Sequence, residues 1–116
     1  INLVDYTTEP DNSITPGRYI FYFEFKDKIT KNQIKLIEKT LDKELRKANL
    51  AYDRARNNKK LSMVKIVMLL PNTFNIIKES LLKKGISKNQ IKVPRVILNN
   101  QNIKKVISCN CQYKDK

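Results

Sequence analysis

The 116-residue sequence has no histidine and no tryptophan, and only two glycines and two cysteines. Without histidine there is no Ser-His-Asp or Cys-His catalytic set and no imidazole to ligate a metal. Cys109 and Cys111 stand one residue apart, a spacing that would strain a disulfide. Two thiols also fall short of the ligand set of a structural zinc. They read as free thiols in a reducing cytosol, so the expected location is cytoplasmic. No G-x-x-x-x-G-K-[ST] phosphate loop is present. The longest apolar run, Ile66-Val67-Met68-Leu69-Leu70, is far short of the roughly 18 to 20 residues of a membrane span, so no membrane partner is expected. No charged-then-apolar leader opens the chain. It begins at Ile1 and reads as a processed or excised piece.

Acidic residues are also scarce, with 11 against 24 basic ones and a net charge of +13. Such a balance favours polyanions through counterion release. The basic residues are spread along the chain, however. Lys59-Lys60, Lys83-Lys84 and Lys104-Lys105 are the only adjacent lysine pairs. Lys, Asn and Ile supply 19, 13 and 14 residues, a joint excess that resembles a bias of the coding sequence. A small basic nucleic-acid-binding module is therefore the alternative reading. Tyr19, Phe21, Tyr22, Phe23 and Phe25, beside Arg18 and Lys26, would be its base-stacking candidates, although strand alternation explains them more simply as a packed face. A bare protein–protein interaction domain is a third possibility.

Arg18 to Lys26 is β-branched and aromatic throughout, as strands prefer, and follows the strong turn signal Pro16-Gly17. With Leu3 to Tyr6 it predicts two antiparallel neighbours joined by a long connection. Thr30 and Gln33 form a capping-box pair. Ile34, Ile37, Leu41, Leu45 and Ala48 then repeat at helical spacing. Asp42 and Arg46 are a clean i,i+4 pair on that helix. Tyr52 to Lys60 reads as a polar stretch. Met63 to Leu70 reads as a buried strand ended by Pro71. Asn72 or Thr73 should cap a helix carrying Phe74, Ile77 and Leu81, and Gly85 should stop it. Ile103 to Ile107 is ambiguous between helix and strand. The predicted fold is one α+β domain with an open, mostly antiparallel sheet covered by helices, in the order strand, strand, helix, strand, helix.

The best site candidate on residue chemistry is the loop Asn89-Gln90-Ile91-Lys92-Val93-Pro94-Arg95. Pro94 restricts Val93 to extended geometry and so fixes how Lys92 and Arg95 project. Lys92 is a compact mobile cation suited to a phosphate or carboxylate. Arg95 can grip an oxyanion with two parallel hydrogen bonds.

Several stretches together resemble the C-terminal part of the plant hormone-conjugating acyl acid–amido synthetases, the Gretchen Hagen family, which also has bacterial members. Val4-Asp5-Tyr6-Thr7-Thr8 is similar to that family's E-Y-T-S segment. Thr15 to Glu24 resembles its P-G-H-Y-V-I-Y-x-E strand. Ala51 to Arg56 matches its Y-x-x-x-R helix end. Pro71-Asn72-Thr73-Phe74 and Lys84 to Arg95 match its P-G-T-F and G-A-S-x-N-Q-Y-K-x-P-R patterns. Arg18 stands where the plant pattern has His, and Ile91 where it has Tyr.

The resemblance, which runs from about residue 3 to 97, implies a function. The parent would adenylate a carboxylic acid with ATP and Mg in a large N-terminal domain, then conjugate it to an amino acid. Residues 1–116 would be the mobile C-terminal lid, with that adenylation domain as partner in the same chain and a small carboxylic acid and an amino acid as substrates. By the same resemblance Lys92 is the catalytic residue, Gln90 and Arg95 bind substrate, and no metal ligand is expected here. The piece alone should bind no cofactor and be inactive. The family's small domain usually begins with a further strand and helix, so the sheet is expected to be incomplete and to leave an open edge, a pairing hazard.

Overall fold

The computed structural model describes residues 3–83, 85, 93–97 and 101–113. Its elements in chain order are β1 (Leu3–Asp11), β2 (Arg18–Phe25), α1 (Lys31–Ala48), α2 (Leu50–Asn57), β3 (Lys65–Met68), α3 (Thr73–Lys83) and α4 (Gln101–Cys109). β1 and β2 pair antiparallel over most of their length, with Tyr6 opposite Phe23 and Asp11 opposite Arg18. β3 joins the other side of β2 in parallel, with Phe21 opposite Ile66 and Phe23 opposite Met68. The sheet is open and mixed, in the order β1-β2-β3. The parallel step follows from the connection: α1 and α2 carry the chain back to the same end of the sheet before β3 starts.

Both faces of the sheet are covered, which is why β2 is apolar on both sides. On one face Phe23, Phe25, Ile66 and Met68 pack with Ile29 beneath Ile34, Ile37 and Leu41 of α1, with Phe21 and Tyr6 at the margin. The aromatic row is therefore a packed face, apart from Tyr19 at its end, which is 42% exposed. On the other face Tyr22 and Leu69 pack against Phe74 and Ile77 of α3, Ile103 and Ile107 of α4, and Val93 and Ile97.

α1 begins as the sequence predicts. The Thr30 side chain accepts from the Gln33 amide, and the Gln33 side chain accepts from the Thr30 amide. α2 occupies the stretch read as merely polar, with Asn49 as its N-cap. The ambiguous segment near Ile103 is the helix α4, its buried Ile103 and Ile107 one turn apart.

The start of α3 differs from expectation. Asn72 has a positive φ of 75°, and the cap is supplied from the sheet. The buried Glu24 carboxylate of β2 accepts from the amides of Asn72 at 3.2 Å and Phe74 at 2.8 Å. A carboxylate at that end satisfies orphan amides and complements the helix dipole. Asparagine tolerates the left-handed region better than branched residues do. Asn72→Gly should therefore leave stability within about 0.5 kcal/mol, while Asn72→Val should cost at least about 1 kcal/mol. Urea midpoints of the two variants check this. Gly85 also has a positive φ, 84°, and its amide donates to Leu82 at 3.0 Å, ending α3 as predicted.

The expected open edge is occupied. On the outer side of β3 the Glu38 carboxylate of α1 accepts from the Ile66 amide at 2.7 Å. The Gln112 amide donates to the Met68 carbonyl at 2.7 Å, and the Leu70 amide donates to Asn110 at 2.7 Å. The outer side of β1 carries a parallel bridge from Thr8 to Val96. The chain thus folds its own loop and tail onto both rims of the sheet.

Candidate functional site

Of the loop singled out by residue chemistry, the Pro94-Arg95 end docks on the rim of β1. Lys92 and Gln90 lie outside the described residues; Arg95 is described. Val93 and Ile97 are both buried in the core beside α3 and α4, so the run is anchored at each end by an apolar side chain. Between them the backbone is held by β1. The Thr8 amide donates to the Arg95 carbonyl at 2.8 Å, and the Ile97 amide donates to the Thr8 carbonyl at 2.6 Å. Two hydroxyls add to this ladder. Thr7 Oγ1 donates to the Pro94 carbonyl at 2.5 Å and Thr8 Oγ1 to the Arg95 carbonyl at 2.7 Å. Both threonines are buried, Thr7 completely.

The Arg95 side chain turns back onto β1. Its guanidinium lies 4.5 Å from the centre of the Tyr6 ring, within cation–π range. Its Nη1 donates to the Tyr6 carbonyl at 2.8 Å and to the Asp5 carboxylate. The hydrogen bond to Asp5 raises the Arg95 pKa above its ordinary value, so the group is a fixed cation. With the side chain of Arg95 still more than half exposed, the clamp sits at the surface. Asp5-Tyr6-Thr7-Thr8 and Pro94-Arg95, nearly ninety residues apart in sequence, thus form one structure. Thr7 and Thr8 drew no notice on residue chemistry alone. The available signal was two adjacent hydroxyl residues inside a strand, where one must face each side of the sheet.

A second polar cluster joins α1 to α2. Asp42 and Tyr52 are buried, and the Tyr52 hydroxyl donates to Asp42 at 2.5 Å. Arg56 meets the same carboxylate through Nε at 2.9 Å and Nη2 at 3.2 Å. Burial pushes the Asp42 carboxyl up, but the hydrogen bonds from Arg56 and Tyr52 and the Arg56 charge outweigh it and hold the group below its ordinary value. Burial, with the hydrogen bond to Asp42, raises the Tyr52 phenol. The predicted Asp42–Arg46 pair is not the one formed. Arg46 instead donates to Asp53 at 2.7 Å, because Asp42 faces inward beneath α2. This cluster is saturated internally and serves as a strut.

A concavity of about 750 Å³ runs along the outer edge of β3 between α1 and α4. One wall holds Tyr22, Glu9 and Lys104. The Tyr22 hydroxyl donates to Glu9, whose other oxygen lies 3.4 Å from Lys104. Burial, with that hydrogen bond, raises the Tyr22 phenol, so it stays a donor through the physiological range. Arg95 does not line this cleft. Among the described residues no group of three or more His, Cys, Asp or Glu stands together to hold a metal ion. Cys109 is exposed, and Cys111 is half-buried with its Sγ donating to the Ile107 carbonyl at 3.1 Å. No described helix is long and apolar enough to cross a membrane.

The GH3 family C-terminal domain matches residues 1–101. Among curated proteins, the indole-3-acetic acid-amido synthetase GH3.15 of Arabidopsis thaliana is 26% identical over 113 residues, covering 88% of this chain and 18% of the relative. GH3.17 of the same plant, also an indole-3-acetic acid-amido synthetase, is 30% identical over 100 residues, covering 82% and 16% respectively. Among solved structures, the GH3.15 acyl acid amido synthetase superposes with a TM-score of 0.82 at 26% identity, over 96% of this chain and 20% of that one. Its complex with 2,4-DB gives 0.77 at 27% identity, with the same coverage. The chain therefore spans about a fifth of the length of the proteins it matches.

Proposed function

This chain belongs to the GH3 C-terminal domain family, and from that premise we propose that it is the mobile lid of a cytoplasmic ATP-dependent acyl acid–amido synthetase. The parent activates a small carboxylic acid by adenylation in an N-terminal domain of the same chain, with ATP and Mg, and then joins it to an amino acid. Lys92 is the proposed catalytic residue. A lysine brought near the α-phosphate stabilises the charge that develops as the carboxylate attacks, and withdrawal of the lid then lets the amine enter. Gln90 and Arg95 are the proposed substrate contacts beside it. Arg95 would contribute only through the part of its guanidinium not turned to Asp5 and Tyr6.

The observation that supports this reading best is the docking of Pro94-Arg95 on Thr7-Thr8. In sequence Lys92 directly precedes this run, whose end side chains Val93 and Ile97 are buried and whose backbone between them is held by β1, and a charge acting at one point of a reaction needs well-held neighbours.

ATP–pyrophosphate exchange tests the proposal. In the full-length protein Lys92→Ala should slow exchange at least about tenfold, a loss of roughly 1.4 kcal/mol of transition-state stabilisation. Stability should move by about 0.5 kcal/mol or less, as for most surface changes. Lys88→Ala is the basic control and should do little. The 116 residues alone should stay at background. Parental exchange by both variants, or substantial exchange by the isolated chain with any carboxylic acid, overturns the reading.

A further inference from the structure

Arg18, Arg46, Arg54, Arg56 and Arg95 are the arginines of the chain. A guanidinium grips a two-oxygen anion best through two parallel N–H bonds from one edge. Arg56 does so inside the fold, where its Nε and Nη2 meet the two oxygens of Asp42 at 2.9 and 3.2 Å. Arg18 spends its Nε on Asp11 at 2.8 Å, and Arg46 its Nε on Asp53 at 2.7 Å. Arg54 is exposed, and nothing among the described residues holds it.

Arg95 differs from all four. Its bonds to the Asp5 carboxylate and the Tyr6 carbonyl both leave from Nη1. Nε and Nη2 have no partner among the described residues, and the side chain is 57% exposed. The group is nevertheless fixed. The Thr8 amide and hydroxyl hold its carbonyl. The Tyr6 ring lies 4.5 Å from the guanidinium and is itself set against Phe21 and Phe23, with ring centres 6.4 and 6.1 Å away. Backbone, ring contact and one end of the guanidinium are held, and one donor edge is left over. Asp5 offsets much of the charge, so attraction alone does not select a ligand at this edge. Hydrogen-bond geometry does, and it fits two oxygens on one atom rather than a halide.

We infer that the Nε–Nη2 edge of Arg95 is a receptor for a two-oxygen anion, a carboxylate or a phosphate, and that Tyr6 is the positioning residue that presents it. The inference deepens the reading of Arg95 as a substrate contact and rests on that reading for the molecule to which the anion belongs. A long flexible side chain ordinarily loses freedom when it binds. Here it is ordered before the ligand arrives, which favours binding.

Side-chain Nε–H NMR signals of the 116-residue chain test this, with Arg54 as internal reference and Arg95→Lys to assign the Arg95 signal. Sodium phosphate, sodium acetate and sodium chloride are titrated at matched ionic strength. With phosphate, acetate or both, Arg95 should half-saturate at a concentration at least about tenfold below that of Arg54. Chloride should move the two signals alike. Saturation by either anion supports the inference, and the tighter one assigns the edge to a phosphate or to a carboxylate of the substrates. Tyr6→Leu should bring the Arg95 midpoint within about threefold of that of Arg54, whereas Tyr6→Phe keeps the ring and should leave it unchanged. Equal midpoints for Arg95 and Arg54 with both anions overturn the inference, as does chloride binding Arg95 as tightly as they do. An unmoved midpoint in Tyr6→Leu overturns the role of Tyr6. If that variant does not fold, the comparison of the two arginines in the unaltered chain still decides. The adenylation reading fails by a separate measurement, parental exchange in Lys92→Ala, which moves neither Nε signal.

Discussion

Replacing Phe23 with alanine should destabilise the domain by about 3 to 5 kcal/mol, the usual cost of emptying a buried aromatic site. Phe23 sits in the central strand, opposite Tyr6 on one side and Met68 on the other. Its ring centre lies 5.7 Å from that of Phe25, 5.9 Å from Phe21 and 6.1 Å from Tyr6. Removing it takes the common neighbour from three rings and opens a hole beneath Ile34, Ile37 and Leu41 of α1. That helix has no other way to bury its apolar stripe, so the cavity cannot close cheaply. The measurement is the urea midpoint at constant m-value. An unchanged midpoint would mean that the row lies at the surface, and would restore the base-stacking reading of these aromatics.

Asp42→Ala should cost about 3 kcal/mol, since it leaves the Arg56 guanidinium and the Tyr52 hydroxyl without their acceptor in a largely buried setting. Asp42→Asn preserves the shape and should cost less. The carboxyl also gives a signature in pH. Its folded pKa is lowered from an unfolded value of about 3.9. The stability it contributes is therefore complete above about pH 4 and is lost as pH falls through the folded value. Asp11 is lost in the same acid window, held down to about 2 by hydrogen bonds from the Ser13 side chain and amide and from Arg18. Acid unfolding of Asp42→Asn should therefore show a shallower decline than the parent, and identical acid limbs would contradict the strut.

Local signals carried much of the fold. The Thr30–Gln33 box, the alternation of β2, the stripe of α1 and the stop at Gly85 each depend on residues close in sequence, and each is found where the spacing puts it. What could not be read depends on distant partners. The alternation of Lys65–Met68 is the same whether the strand runs parallel or antiparallel to β2. The cap of α3 comes from Glu24, some fifty residues earlier, and no local rule finds it. Tyr52 and Arg56 look like ordinary polar surface until Asp42 of α1 is set beneath them. The family-like stretches behave in the same way. Asp5 to Thr8 meets Pro94-Arg95, Glu24 meets the Asn72-Thr73-Phe74 turn, and Tyr52 and Arg56 meet α1. Their order could be seen along the chain, but the reason for their pattern is a contact in space. In the candidate site, Arg95 was visible as a cation, whereas its engagement with Tyr6 and Asp5 required the fold.

The covering of β3 also bears on how the chain behaves in company. A bare strand edge is a template that a second copy can lengthen, and a copy so added offers the same edge again. Here the outward groups of Ile66, Met68 and Leu70 are taken by Glu38, Gln112 and Asn110. Two of those three partners lie in the short segment after α4. With Asn110 to Gln112 seated, the outward backbone groups of Met68 and Leu70 already have partners within the chain and are not on offer to a second copy.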